Sequence, residues 1–149
     1  MKTVTGDLIA LAKDGAFDVI AHGCNCMCTM GAGIAVPVRQ NWPEAYAADC
    51  ATEKGDREKL GTCTEAIVED GRLTVVNAYT QYDYRGRGVK VSYEAVASCM
   101  AWIKKRHSGK RIGLPKIGAG LAGGDWARIQ GIIAQELHGE DVTIVEFSG

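Results

Sequence analysis

The stretch "HGCNCMCTMGAGIA" over residues 22–35 gathers side chains able to do chemistry: a histidine, an asparagine, three cysteines on alternate positions and a glycine-x-glycine turn. Thiolates at Cys24, Cys26 and Cys28 suggest zinc or an iron–sulfur cluster, yet tetrahedral sites use C-x₂₋₄-C pairs. Cys50, Cys63 and Cys99 supply no second pair, and His22, His107 and His138 have no ligand spacing to one another. No metal or cofactor is expected. The glycines offer a different chemistry. Gly31 and Gly33 let backbone N–H groups turn inward without a β-carbon in the way, and a following helix N-terminus adds partial positive charge, so the turn can hold an anion.

"GAGIA" at 31–35 returns as "GAGLA" at 118–122. One such loop reads equally well as a tight strand-to-helix turn; two on one sheet edge point to a diphosphate held from both sides. Gly118, Gly120 and Gly123 also satisfy G-x-G-x-x-G, a dinucleotide-binding fingerprint. Only one helix and one strand follow it, too little chain for the rest of such a domain. His22 ends an apolar run and titrates near neutrality, which suits a proton carrier as well as a structural strand end. Asp125 stands just before the last helix, where it can act as a base or as an N-cap. Asn25 suits either ligand binding or a turn.

These residues need elements to position them. "KTVT" reads as a strand and "DLIALAKDG" as a helix stopped at Gly15. "FDVIAHG" reads as a buried strand, 33–41 as a short helix, and "PEAYAADCATEKG" as a helix from Pro43 to Gly55. Two strands in "GTCTEAIVEDGRLTVVNAYT" meet at a tight Asp70-Gly71 hairpin turn, and a polar loop follows. Ser92 caps a long helix to about Arg106; "RIGLP", "DWARIQGIIAQELHG" and "VTIVEF" complete the chain as strand, helix and strand. Alternating elements with one hairpin specify a three-layer α/β/α domain with a central mixed sheet, expected as one domain over 1–149. Ligands of such sheets bind beyond the strands' carboxyl ends, where both glycine loops emerge.

Composition narrows the function classes. Lys plus Arg is 17 and Asp plus Glu is 18, so no global field holds nucleic acid by counterion release. Arg85, Arg87 and Lys90 form only a local patch; the basic residues near 104–110 suit a helix end. No run approaches ~18 apolar residues, and the first residues lack a signal-peptide pattern. A cytoplasmic chain with reduced thiols, most simply a monomer with no membrane partner, is expected.

On these residues the sequence resembles the macrodomain family, the ADP-ribose-binding α/β/α module. "TGDLI", "HGCN", "MGAGIA" and "PKIGAGLAGG" match its motifs, and the match covers almost the whole chain. "IAHGCNCMCTMGAGIA" with "NWPEAYAADC" is most similar to the branch holding fungal ADP-ribose-1″-phosphate phosphatase, terminal ADP-ribose glycohydrolases and antitoxin macrodomains.

The resemblance implies that Asp7, beside Leu8, takes the adenine amino group. Gly31, Ala32, Gly33 and Ile34 would hold one side of the diphosphate; Ile117, Gly118, Ala119, Gly120, Leu121 and Ala122 would hold the other. Asn25 would bind the distal ribose, and His22, Asn25 and Asp125 would form the catalytic group. The branch's glycohydrolases carry a lysine where this chain has Gln81 and Tyr82, so a lysine nucleophile is not expected. The implied activity is hydrolysis of ADP-ribose-1″-phosphate, a small-molecule substrate. Hydrolysis of ADP-ribosyl esters or ADP-ribosylated nucleic acid, and non-catalytic ADP-ribose reading, are the alternatives.

Overall fold

The computed structural model describes residues 1–147. Twelve segments follow in order: β1 (Lys2–Gly6), α1 (Leu8–Lys13), β2 (Val19–Cys24), α2 (Ala35–Asn41), α3 (Pro43–Cys50), a 3-10 turn (Arg57–Lys59), β3 (Cys63–Val68), β4 (Leu73–Tyr79), α4 (Tyr93–His107), β5 (Arg111–Leu114), α5 (Trp126–Glu136) and β6 (Asp141–Phe147). The strands form one mixed sheet in the order β1-β6-β5-β2-β4-β3. Every neighbouring pair is parallel except β3 with β4.

Both sheet faces are covered, which is why the central strands are apolar throughout rather than alternating. Along β2, Val19 and Ala21 point to one side, where Val96, Met100 and Ile103 of α4 and Ile129 and Ile133 of α5 close a core. Ile20 points to the other side and joins Leu8 and Ala12 of α1, Val38 of α2, and Trp42 and Ala45 around the start of α3. The three-layer α/β/α architecture is therefore present.

Two local expectations change. Helix α3 stops at Cys50 rather than running to Gly55. Gly55 instead sits in the left-handed region (φ 78°), its N–H donating to the Cys26 carbonyl at 2.7 Å. Its own carbonyl accepts from the Tyr82 hydroxyl at 2.7 Å, so Gly55 clamps two loops together. The β3–β4 connection is also longer than a two-residue turn. Val68 pairs with Leu73, leaving residues 69–72 between the strands, with Glu69, Asp70 and Gly71 all at positive φ. Arg72 leaves the ladder because its guanidinium donates to the Ala12 and Lys13 carbonyls at 3.1 and 3.0 Å, satisfying acceptors at the end of α1.

Two glycines test the packing. A β-carbon at Gly113 in β5 would lie 2.6–2.8 Å from three atoms of the buried Phe17 ring, whereas one at Gly131 in α5 meets nothing within 4 Å. Gly113→Ala is expected to cost about 1–3 kcal/mol in urea unfolding by overpacking. Gly131→Ala is expected to gain up to about 1 kcal/mol from helix propensity.

Candidate functional site

Strands β2 and β5 lie side by side and parallel, but the chain leaves them in opposite directions along the sheet, toward β4 and β3 from one and toward β6 from the other. That divergence opens a crevice at their carboxyl ends. It holds a cleft of about 800 Å³, and both glycine loops border it. Asn25, Gly31, Ala32, Gly33 and Ile34 line it from the loop after β2. Ile117, Gly118, Gly120, Leu121 and Ala122 line it from the loop after β5.

The two loops are near copies in sequence but not in conformation. The left-handed residue is Gly33 (φ 59°) in the first and Gly118 (φ 76°) in the second. Gly118 is further required by packing, since a β-carbon there would lie 2.7 Å from Val91 and 3.0 Å from Ile129. Gly31 and Gly120 have neither constraint: their φ values are ordinary and a β-carbon on either meets nothing within 4 Å. What these two positions share is the cleft. The loops also approach each other, since a β-carbon on Gly33 would lie 3.5 Å from Leu121 Cδ1.

Among the described residues, the N–H groups of Gly31, Ala32, Gly33 and Ile34 have no hydrogen-bond partner, and neither do those of Gly120, Leu121 and Ala122. Uncommitted amides bordering a crevice are the raw material of an anion site. The N-terminus of α2 is capped by no side chain, Ile34 being its N-cap residue. Helix α5 differs: Asp125 accepts from the Ala127 N–H at 3.1 Å, so its N-terminus is already capped by an acid. Ala119 donates its N–H to the Lys116 carbonyl and does not line the cleft.

Besides Ala119, four expected positions lie outside the cleft lining. Asp125 is an exposed N-cap outside the cleft lining. Asp7 likewise caps α1, accepting from the Ile9 and Ala10 N–H groups at 2.9 and 3.2 Å, and Leu8 is buried against the sheet. Both follow β1, at the sheet edge beyond β6. His22 is 1 % exposed and faces the α1–α3 side of the sheet, beneath the crevice rather than in it.

The environment of His22 fixes its state. Its Nε2 is 2.7 Å from Asn77 Oδ1, while Asn77 Nδ2 donates to the Ala45 carbonyl at 2.9 Å and to Thr64 Oγ1 at 3.1 Å. Because a carbonyl only accepts, the Asn77 amide must point its NH2 toward Ala45, and His22 must therefore donate from Nε2. This leaves Nδ1 bare, 3.8 Å from Cys24 Sγ. Burial outweighs the Asn77 hydrogen bond and lowers the His22 pKa to about 4. The network continues through Thr64 to the Tyr79 hydroxyl and on to Asp49 Oδ1, tying α3 to the sheet. Burial also raises the Asp49 carboxyl above its ordinary range.

Asn25 does line the cleft, held by its own loop. Its Oδ1 accepts from the Met27 N–H at 2.8 Å and its Nδ2 donates to Thr29 Oγ1 at 2.9 Å. The cysteines diverge: Cys24 faces His22, Cys26 donates toward the Gln81 carbonyl, and Cys28 rests on Asp49 and Thr52. Among the described residues no three His, Cys, Asp or Glu side chains gather as a metal site. Burial pushes the Cys26 thiol up to about 11, so it packs rather than reacts.

The segment after β4, where Gln81 stands in place of the branch's lysine, forms a wall of the cleft. Thr80, Gln81, Tyr84 and Lys90 all line the cleft. The available signal was topological: β4 is parallel to β2, so whatever follows it emerges on the same edge as the glycine loops. Lys90 and Lys116 are the charged residues of the lining, with no carboxylate among the described lining residues. Lys116 is neutralised by Glu146 at 2.7 Å.

Fold and crevice thus define an α/β/α domain with a two-loop glycine cradle at its strand ends. Residues 21–133 match the Macro domain family, and the chain belongs to that family. It is 34% identical over 154 residues to an enterobacteria phage T4 protein described as an uncharacterized 17.5 kDa protein of the tk-vs intergenic region, covering 99% of this chain and 96% of that one. A Bacteroides thetaiotaomicron protein of unknown function superposes with a TM-score of 0.81 at 27% identity, over 97% of this chain and 96% of that one. Thermosipho africanus DarTG, solved in complex with ADP-ribose, shares the fold at a TM-score of 0.75 and 17% identity, over 98% of this chain and 42% of its own. Among the described residues no helix is long and apolar enough to cross a membrane.

His22 makes the site's support pH-dependent. With its folded pKa near 4 against an ordinary 6.5, the unfolded chain binds the extra proton between those values, so stability is full above pH 6.5 and falls as pH drops toward 4. The loss is expected to reach about 3 kcal/mol. Urea unfolding across pH 7.5 to 4 should show a steeper decline for the wild type than for His22→Gln, which keeps an amide donor for Asn77 but cannot titrate.

Proposed function

We propose that the cleft binds ADP-ribose derivatives and hydrolyses ADP-ribose-1″-phosphate to ADP-ribose and inorganic phosphate. The observation that carries this reading is the pair of glycine loops, with uncommitted amides, that border one crevice without a carboxylate among its described lining residues. An anionic diphosphate between them would receive hydrogen bonds from both sides and meet no like charge. Support comes from the family membership and from ADP-ribose bound to a macrodomain-bearing relative of the same fold.

The sheet order gives the ligand a direction. Asp7 follows β1 and Thr80 follows β4, four strand spacings away, or about 19 Å across the edge. Adenine at the β1 end, diphosphate over β5 and β2, and the distal ribose toward β4 is the orientation that uses this span. In the reaction, water attacks phosphorus and the bond from phosphorus to the 1″ oxygen breaks. The sugar oxygen leaves with a proton, and the phosphate carries the new oxygen.

No strong base is assigned. His22 is sealed from the cleft and Asp125 is committed to α5, so both become positioning residues; Asn25, in the lining, orients the distal ribose or the water. Phosphoryl transfer tolerates this because a loose transition state draws mainly on positioning and charge. The same lack of a base favours the second reading, an ADP-ribose reader without turnover.

A panel separates them. Purified protein is expected to release phosphate from ADP-ribose-1″-phosphate and to leave an ADP-ribosylated glutamate peptide and ADP-ribosylated DNA unchanged. Binding of ADP-ribose by calorimetry without phosphate release would establish the reader instead, and cleavage of either macromolecular substrate would move the activity to that class. The cradle is checked by Gly31→Val and Gly120→Val. Because both positions are open in the structure, thermal stability should hold while affinity for ADP-ribose falls by about tenfold or more.

A further inference from the structure

The segment 80–92 returns to where it starts. Gln81 and Val91 form a bridge, the Ser92 N–H donates to the Thr80 carbonyl at 2.8 Å, and the Thr80 and Gln81 N–H groups both donate to the Cys24 carbonyl at the end of β2. Its returning limb is stitched to the second glycine loop, with the Lys90 N–H donating to the Ala122 carbonyl at 2.8 Å. A main-chain bond therefore fixes where the Lys90 side chain starts, whatever side chain the position carries. Lys90 is half-buried, lines the cleft and, among the described residues, has no carboxylate within ion-pair range, whereas the other lining lysine is paired with Glu146.

An ammonium group on a half-buried, cleft-lining residue with no carboxylate partner favours an anionic ligand over none. The diphosphate has two other sets of donors, the uncommitted backbone amides of the two glycine loops that border the cleft. Lys90 lies between the end of β4, where the adjacent Val91 bridges Gln81, and the second glycine loop, where its own N–H is bonded to Ala122, and it shares the cleft lining with Asn25, Gln81 and Tyr84. We propose that Lys90 is a specificity-determining residue that recognises a further phosphate carried on the distal sugar, so that the cleft selects ligands with an anionic group beyond the diphosphate. This rests on the ADP-ribose reading above and assigns its selectivity to one cation.

Calorimetry tests it with three ligands: ADP-ribose, ADP-ribose-1″-phosphate, and the charge-matched isomer with its extra phosphate on the adenosine 2′ oxygen. Product release is avoided by using the 1″-methylenephosphonate, in which a P–C bond replaces the scissile P–O bond. Lys90→Gln is expected to weaken the 1″-phosphorylated ligand by about 10- to 100-fold, the scale of one charged hydrogen bond, and the other two by less than about twofold. Lys90→Arg should restore most of the loss, and thermal unfolding should be unchanged because the Lys90 main-chain bond survives each substitution. Equal weakening of all three ligands, or of none, would overturn the assignment. If the wild-type protein binds none of them, the ADP-ribose reading itself falls; if it binds ADP-ribose well but Lys90→Gln leaves the preference intact, only the role of Lys90 falls.

Discussion

The structure turns on β2 being paired in parallel with both β4 and β5. A parallel ladder sends all three chains out on the same edge, and the ladder itself uses up the backbone groups only as far as the strands run. Beyond Cys24, Tyr79 and Leu114 each chain must find new partners or leave polar groups for something else. The three exits solve this differently. The segment after β4 bonds back to Cys24, the loop after β5 folds on itself through Gly118 and Gly124, and the loop after β2 leaves four consecutive amides uncommitted. The chemistry of the cleft is the remainder of that accounting.

Beneath the edge, polar groups do the opposite work. His22, Asn77, Thr64, Tyr79 and Asp49 form a buried chain in which nearly every donor meets an acceptor, and it fastens the start of α3 to the centre of the sheet. Asp49 Oδ2 is the exception, a buried oxygen without a partner. Such a network is costly when broken and so fixes one arrangement of helix and strand. Lys59 adds a second support, donating to the Cys26 carbonyl at 3.2 Å from below the loop that carries Asn25. The cleft is thus open above and rigid below.

Much of this was legible in the sequence for specific reasons. The apolar run of β2 and the glycines at 118–124 follow from periodicity and punctuation, which depend on local backbone preference. Ser92 and Asp125 were legible as caps for the same reason, and the structure uses each as one. What sequence could not resolve was facing. His22 and Asn25 are three residues apart, but the strand's pleat sends the histidine under the sheet while the loop brings the asparagine into the cleft. The likeness of "GAGIA" and "GAGLA" marked two loops that border one cleft but not their conformations, since the left-handed turn falls on a different glycine in each. Lys90 was visible only as a cation in a polar loop; its place in the lining follows from a main-chain bond to a residue 32 positions away, Ala122, which no local pattern encodes.

The pinned ends of the segment after β4 have an evolutionary consequence. Between them, residues 83–89 form a loop whose closure is already secured by the Gln81–Val91 bridge and by Tyr82, stacked under Arg57 and bonded to Gly55. Lengthening a loop whose base is closed costs little, since closure entropy grows only with the logarithm of its length. Insertions and exchanges at 83–89 can therefore accumulate without disturbing the sheet, each altering the mouth of the cleft directly. The stretch tolerant of length change and the glycine loops that border the cleft thus lie on separate parts of the chain, so the rim of the cleft can change shape while its glycine loops stay as they are.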